Sequence, residues 1–198
     1  MKRLELSLFS AEEFLLLNAD WQGGGILLES SVLDFAVARD RIREFCRAEM
    51  PVIIQDLAAP ETARFIPEDS PKLQLEFQSF LLKRCELIAQ LGVQEFSLSF
   101  HLERAAEDAE FCRSLRRVLG SLWGVLEQYQ LRLLLTAHLP AQGAADASWL
   151  AQFRQDLLYP NVGFLLELHD ADEEVPQKLA FYADRLLRRN AVSADLFL

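Results

Sequence analysis

Short segments in which apolar and polar residues alternate recur along this chain, and segments with helical spacing separate them. In one of them, Phe96 and Leu98 alternate with Ser97 and Ser99. A two-residue period predicts a β-strand with one buried apolar face and one polar face. The predicted strands are Arg3–Leu8, Gly25–Glu29, Pro51–Leu57, Val93–Phe100, Leu131–Ala137, Val162–Leu168 and Val192–Leu198.

Helix start and stop signals fill the intervals between these strands. Ser10 and Glu13 have the spacing of a capping box, and Ser70 before Pro71 predicts a helix that ends at Gly92. Strict alternation of strands and helices predicts a parallel sheet with right-handed crossovers. The predicted helices are Ser10–Ala19, Ser31–Ala48, Ser70–Leu91, Ala105–Tyr129, Trp149–Leu158 and Glu173–Arg189.

Two architectures compete for this order, a barrel and an open doubly wound sheet. Strands of an open parallel sheet are covered by helices on both faces and are nearly continuously apolar. Here they alternate, as where Leu4, Leu6 and Leu8 oppose Glu5 and Ser7. We therefore expect an α/β fold, a parallel (βα) barrel of the TIM type, with the apolar face against helices and the polar face lining the interior.

Chain length bounds this barrel. A complete eight-stranded barrel typically takes roughly 200 residues or more, and the 198 residues provide about seven strands. We expect one domain, residues 1–198, that forms an incomplete barrel. Its last predicted strand, Val192–Leu198, would leave an apolar edge, which favours pairing with another chain. A homodimer is therefore expected.

Composition excludes several classes of partner. The net charge is −10, the pI is about 4.8, and no run of Lys or Arg occurs, which argues against nucleic acid and membranes as partners. No apolar run approaches the ~20 residues of a membrane span, and the N-terminus does not resemble a signal peptide. Cys46, Cys85 and Cys112 lack metal-site spacing and are expected to be buried thiols. A cytoplasmic protein is expected.

The three histidines supply the strongest functional clue. His101, His138 and His169 each come at the end of a predicted strand, and Glu167 precedes His169 by two residues. In a TIM-type barrel the carboxyl ends of the strands form the active site. Imidazoles together with a carboxylate can bind Zn²⁺, Mn²⁺ or Fe²⁺. We therefore predict a metal site at this mouth, although a histidine at a strand end is also often a hydrogen-bonding rim residue.

Each candidate residue has a predicted role. The predicted metal ligands are His101, His138, Glu167 and His169. Glu167 and His138 are the predicted catalytic groups, because a carboxylate and an imidazole can move protons while a metal polarises a carbonyl or hydroxyl. The predicted substrate-binding residues are Glu29, Asp56, Asp170 and Asp172.

Two segments resemble a known family. Leu81–His101, LLKRCELIAQLGVQEFSLSFH, resembles helix three and strand four of the xylose-isomerase-like barrels, the sugar phosphate isomerases and epimerases. Pro160–Asp172, PNVGFLLELHDAD, is similar to that family's strand-six pattern N-V-G-x-x-x-D-x-x-H. The resemblance implies a barrel enzyme that acts on a small sugar-like molecule with a divalent metal. In this pattern Glu167 and Asp170 occupy the positions of the metal-binding Asp and His.

Because of the departures from that pattern, two functional hypotheses and one purely structural possibility stay open. His101 matches outright, but Thr136-Ala137-His138 on strand five has no carboxylate where the family has a catalytic Glu. One hypothesis is a metal-dependent sugar isomerase, epimerase or lyase with a rearranged site. The other is a catalytically inactive barrel that binds a small molecule or a protein. A third, blander possibility is a barrel whose polar interior holds only water.

Overall fold

A computed structural model describes residues 5–17, 21, 24–59, 61, 66–67, 70–100, 102, 108–140, 148–157, 159–169 and 184–189. Seven parallel strands in this part of the chain form a closed barrel in chain order. They are β1 Glu5–Phe9, β2 Gly25–Glu29, β3 Val52–Gln55, β4 Glu95–Ser99, β5 Arg132–Pro140, β6 Val162–His169 and β7 Arg185–Arg189. The predicted parallel (βα) barrel of the TIM type is confirmed.

Helices connect the strands around the outside of this barrel. They are α1 Ala11–Leu16, a 3-10 helix Ser30–Asp34, α2 Ala36–Arg47, α3 Pro71–Gln90, α4 Ala109–Tyr129 and α5 Ser148–Asp156. The predicted capping box is confirmed, because Ser10 Oγ accepts from the Glu13 backbone and Glu13 accepts from the Ser10 backbone. None of the helices in the described ranges is long and apolar enough to cross a membrane.

The main hydrophobic core lies between the strands and the helices. Phe96, Leu98 and Phe100 of β4 and its end are buried in this outer core together with residues of α3 and α4. Ser97, which alternates with them, is fully buried on the opposite face. The predicted orientation of this strand, apolar toward the helices and polar toward the barrel interior, is therefore confirmed.

A second, smaller cluster fills the middle of the barrel. We call it the inner apolar layer; it consists of Leu6, Leu27, Ile53, Leu134, Leu165 and Leu187. The predicted orientation of β1 is wrong, because Leu6 belongs to this layer whereas Phe9 packs against the outer core. The register explains the orientation: Leu6 is paired with Leu187, so β1 supplies an apolar side chain to an interior that is apolar at this height.

The end of the chain differs most from its prediction. Glu173–Arg189 was expected to be a helix, but Arg185–Arg189 forms strand β7. Leu187 fills the inner apolar layer from this strand, so tertiary burial overrides the local helical preference. Residues 173–183 and the predicted strand Val192–Leu198 lie outside the described residues.

Strand β7 also changes how the barrel closes. It pairs with β6 on one side and with β1 on the other, through Glu5 with Leu186 and Leu6 with Leu187. Among the described strands, the open edge that the sequence suggested is therefore absent. An open apolar edge therefore no longer favours a homodimer, and the homodimer stays a prediction.

Candidate functional site

The parallel register collects several predicted site residues at the carboxyl end of the barrel. Glu29 pairs with Gln55 across β2 and β3, and His138 pairs with Glu167 across β5 and β6. His169 follows two residues after Glu167 and pairs with Arg189 of β7. Parallel strands end at the same rim, so this end, the barrel mouth, is where the fold concentrates chemistry.

Glu167 is the best-defined predicted catalytic residue. It is 1 % exposed and lies two residues beyond Leu165 of the inner apolar layer, which places its carboxyl group inside the barrel. His138 occupies the neighbouring position on β5. The side chains of His138 and His169 are not described, and His101, Asp170 and Asp172 lie outside the described residues.

Further polar side chains lie inside the barrel near Glu167. Thr136 and Gln55 are buried, and Ser97 Oγ accepts a hydrogen bond of 3.2 Å from the Asp56 backbone N–H. The sequence alternation indicated an inward direction for Ser97 and Ser99 but gave none of these residues a role beyond that. We call this group the interior polar layer; it consists of Gln55, Ser97, Ser99, Thr136 and Glu167.

A cavity of about 490 Å³ opens at the carboxyl ends of β2 and β3. Both predicted substrate-binding residues of this region, Glu29 and Asp56, line it. Arg84 of α3 reaches the same cavity and donates to Asp34 at 3.3 Å. Among the described residues the lining is Glu29, Ser30, Ser31, Asp34, Gln55, Asp56, Ala59 and Arg84, so Glu167 is not part of it.

Asp56 forms a sharp bend at the end of β3. Its φ of +45° is in the left-handed region, which Asp and Asn tolerate better than most residues. The bend brings its own backbone N–H onto Ser97 Oγ, and the next N–H, of Leu57, onto the Ser97 carbonyl. Side chain and backbone of Ser97 therefore hold the entrance to the cavity in place.

Glu167 is the one predicted metal ligand whose side chain the structure describes. Glu167 provides a buried carboxylate, which suits a divalent cation when imidazoles complete the set. Among the side chains that the structure describes, no group of three or more His, Cys, Asp or Glu is close enough to hold a metal ion. Since three of the four predicted ligands are histidines without described side chains, the metal site stays a prediction.

The opposite, amino-terminal end of the barrel is closed by ionic contacts. Arg185 of β7 binds Glu95 of β4 through two hydrogen bonds of 2.8 and 2.9 Å, which cross the barrel interior. Arg132 of β5 contacts both Glu95 and Asp184. We call this group the lower ion network; it consists of Glu95, Arg132, Arg154, Asp184 and Arg185.

Asp184 is the centre of this network. Burial raises the pKa of its carboxyl group, but hydrogen bonding from the Phe164 N–H at 2.9 Å and the charges of Arg132 and Arg154 outweigh burial, so the net pKa is lowered. Gly163 makes room for it, since a Cβ there would lie 2.6 Å from Asp184 Oδ2. No local pattern in the chain indicates this network, because it depends on strand β7, which was not predicted.

The prediction that the cysteines are buried thiols is correct for Cys85, whereas Cys46 and Cys112 are only partly buried. Burial raises the pKa of Cys46 to about 11 and that of Cys85 to about 12, so both remain protonated thiols at neutral pH. All three cysteines are free. Cys46 lines a cavity of about 410 Å³ beside the lower ion network, where a protonated thiol is chemically inert.

Comparison with known proteins shows which solved structures share this fold. No family model and no curated protein matches the chain. The fold is that of the xylose-isomerase-like barrels, as the sequence resemblance suggested. D-psicose 3-epimerase, solved in the presence of D-fructose, superposes with a TM-score of 0.66 at 8 % identity over 94 % of this chain and 84 % of its own.

Two further solved structures show the same fold. A D-tagatose 3-epimerase-like protein has a TM-score of 0.60 at 10 % identity and covers 94 % of this chain and 90 % of its own. The 3-keto-D-glucoside 4-epimerase of E. coli has a TM-score of 0.56 at 11 % identity, with 98 % and 94 % covered. At these identities the likeness establishes the sugar isomerase/epimerase-like fold of the chain and leaves its reaction to the site.

Proposed function

We propose that this protein binds a small sugar or polyol at the barrel mouth and acts on it as an isomerase or epimerase. One observation carries the proposal: the buried Glu167 carboxyl group lies inside the barrel, with His138 at the neighbouring position in register. Isomerisation and epimerisation next to a carbonyl both require a group that removes and returns a proton. A carboxylate and an imidazole side by side can supply it.

The remaining residues have the following proposed roles. Glu167 and His138 move the proton, and Glu29, Asp56, Asp170 and Asp172 bind substrate hydroxyls. A Zn²⁺, Mn²⁺ or Fe²⁺ ion would be held by the metal set of His101, His138, Glu167 and His169 and would polarise the substrate carbonyl. The bent end of β3 supports the substrate role of Asp56, because it faces the 490 Å³ cavity together with Glu29.

The direct test is conversion of D-psicose, D-tagatose and D-fructose by the purified protein with each of the three metals. We expect Glu167→Gln to lower kcat by about 10² or more, the usual contribution of a general acid or base. Glu127→Gln, on the exposed face of α4, is the matched control and should keep full activity. Undiminished turnover in Glu167→Gln would contradict the assignment.

Metal dependence needs its own measurement. We expect a near-stoichiometric first-row metal in the untagged protein by mass spectrometry, and its loss in the His101→Ala, His138→Ala double variant. A protein that stays free of metal after reconstitution would exclude the metal-dependent mechanism.

A catalytically inactive binding barrel is the second candidate. It is favoured by one observation, that the cavity of about 490 Å³ at the mouth is lined by Glu29, Asp56 and Arg84 but not by Glu167. A sugar that binds by calorimetry with no turnover under any metal would support this candidate. Turnover that depends on Glu167 would exclude it.

The predicted assembly and location complete the proposal. A homodimer would appear as a single species of about twice 22.6 kDa in sedimentation at micromolar concentration. The acidic chain, with no basic run, is proposed to act without nucleic acid or membrane partners in the cytoplasm. Fluorescence microscopy of the tagged protein in its own cells checks the location.

A further inference from the structure

Two hydroxyl groups inside the barrel lack the hydrogen bonds that buried polar groups normally make. Thr136 on β5 is 1 % exposed, and Ser99 on β4 is its direct partner in register. Neither Thr136 Oγ1 nor Ser99 Oγ has a hydrogen-bond partner among the described residues. Native proteins leave few buried polar groups in this state, and each such group calls for an explanation, such as a role in a site or a bound water or ion.

The same strand shows what a structural hydroxyl looks like. Ser97 lies two residues before Ser99 on the same face of β4, and its Oγ holds the Asp56 N–H. It is fully buried and has a structural partner. Ser99, one step closer to the mouth, has no such partner among the described residues, so the change occurs where the barrel begins to open.

The surroundings of the two hydroxyls have the composition of a ligand pocket. The inner apolar layer adjoins them, since Leu134 lies two residues below Thr136 on the same face and Leu165 is paired with Thr136 in register. Glu167 follows Leu165 by two residues on the same face of β6. An apolar floor with a few convergent polar groups is typical of small-molecule sites.

We propose that Thr136 and Ser99 are specificity-determining residues that bind the uncharged, hydroxyl-bearing end of a polyol ligand inserted into the barrel beside Glu167. A hydroxyl can donate and accept, so a sugar hydroxyl satisfies two protein hydroxyls at once. We assign the uncharged end of the ligand to this place because a phosphate here would lie beside the buried Glu167 carboxylate. Any charged end of the ligand therefore points out of the mouth.

This inference rests on the proposed sugar ligand but not on catalysis. Its test compares Thr136→Val, which removes the hydroxyl and keeps the shape, with Thr136→Ser, which keeps the hydroxyl. Calorimetric binding of D-fructose, D-psicose and D-tagatose is measured for each variant and for Ser99→Ala. Thermal unfolding of the free proteins is measured in parallel.

We expect Thr136→Val to raise the Kd of the bound sugar about tenfold or more, with Ser99→Ala in the same direction and Thr136→Ser near wild type. The Tm of free Thr136→Val should stay equal or rise, because a buried hydroxyl without a partner is removed. Unchanged binding together with a lower Tm would overturn the inference and indicate that the hydroxyls bind a structural water.

The outcomes separate this inference from the proposed function. Turnover in wild type together with a sugar Kd that Thr136→Val leaves unchanged would overturn the hydroxyl subsite and keep the isomerase. Sugar binding that Thr136→Val weakens, without turnover in wild type, would keep the subsite and remove the isomerase. Absence of both binding and turnover in wild type would overturn the two together.

Discussion

The two ends of the barrel differ in whether their buried polar groups are hydrogen-bonded by other described residues. At the amino-terminal end, Glu95 and Asp184 each receive hydrogen bonds from arginine side chains, and Asp184 also receives a backbone N–H. At the carboxyl end, the hydroxyls of Ser99 and Thr136 have no partner among the described residues. The inner apolar layer separates the two ends.

This difference suggests that the amino-terminal end of the barrel contributes stability and that the carboxyl end contributes the binding site. Charges that cross the interior are tolerable only when every one of them is paired, and the lower ion network meets that condition. Leaving the hydroxyls of Ser99 and Thr136 without a partner among the described residues would be an expensive way to build a stable barrel, since buried unpaired hydroxyls cost free energy. It is a reasonable way to build a site, because a ligand can supply the missing hydrogen bonds.

The largest effect is expected from removing the centre of the lower network. Asp184→Ala leaves Arg132 Nη2 and the Phe164 N–H without the Asp184 acceptor, so we expect a loss of about 3–5 kcal/mol in the free energy of unfolding, measured with urea. Asp34→Ala breaks the exposed pair with Arg84 at the mouth and should cost at most about 1 kcal/mol. Equal costs would erase the distinction between the two ends.

Gly163→Ala tests the same network by adding a methyl group next to Asp184. The new Cβ would meet Asp184 Oδ2 at 2.6 Å, so we expect a loss of about 1–3 kcal/mol by thermal or urea unfolding. Gly124→Ala is the matched control, because a Cβ at this helical glycine meets nothing within 4 Å. Removing a helical glycine should stabilise the protein by about 0.5–1 kcal/mol, and a stabilising Gly163→Ala would refute the close approach.

A pH titration of stability sharpens the comparison further. The pKa of Asp184 is lowered in the folded protein, so its ion pairs stabilise above the unfolded value of 3.8 and this contribution is lost as the pH falls through the folded pKa. We expect urea unfolding between pH 5 and about pH 2 to show a steeper loss for wild type than for Asp184→Asn. Parallel curves for the two proteins would speak against a stabilising Asp184 carboxylate.

The smallest effect is expected at the start of α1, next to the carboxyl end of β1. Ser10→Ala removes the side-chain acceptor of the capping box, which should cost about 1 kcal/mol. The Ser10 backbone and side-chain hydrogen bonds hold the pKa of Glu13 below its usual range, so carboxyl titration by NMR should show this pKa rising in Ser10→Ala. An unchanged Glu13 pKa would indicate that the cap does not form in solution.

Much of the fold could be predicted from local pattern. Alternation located β2 to β6, and the order of strands and helices indicated the parallel barrel that the structure confirms. The orientation of Phe96, Leu98 and Ser97 was correct because β4 has helices on one side and a polar interior on the other. The sequence predicted that His138 and Glu167 lie at one mouth, because both strands end at the same rim, and the register pairs their two positions.

The prediction was wrong where one strand depends on distant partners. Leu6 points into the barrel because β1 pairs with β7 at the height of the inner apolar layer, which the alternation of β1 cannot reveal. Arg185–Arg189 has the composition of a helix end and becomes a strand because Glu95 binds Arg185 and the interior buries Leu187. Both contacts join residues far apart in the chain.

The sequence by itself determined the period of β2 to β6, the start signals of α1 and α3, and the approach of Glu29 and Asp56 to one cavity. Those features depend on interactions between residues a few positions apart, which a linear pattern records. Only the tertiary structure decided how the barrel closes and which polar groups are paired: Gly163 leaves space for Asp184, while Thr136 and Ser99 lie at paired register positions without a described hydrogen-bond partner. Pairing depends on the register between strands, and that register exists only once the strands have assembled.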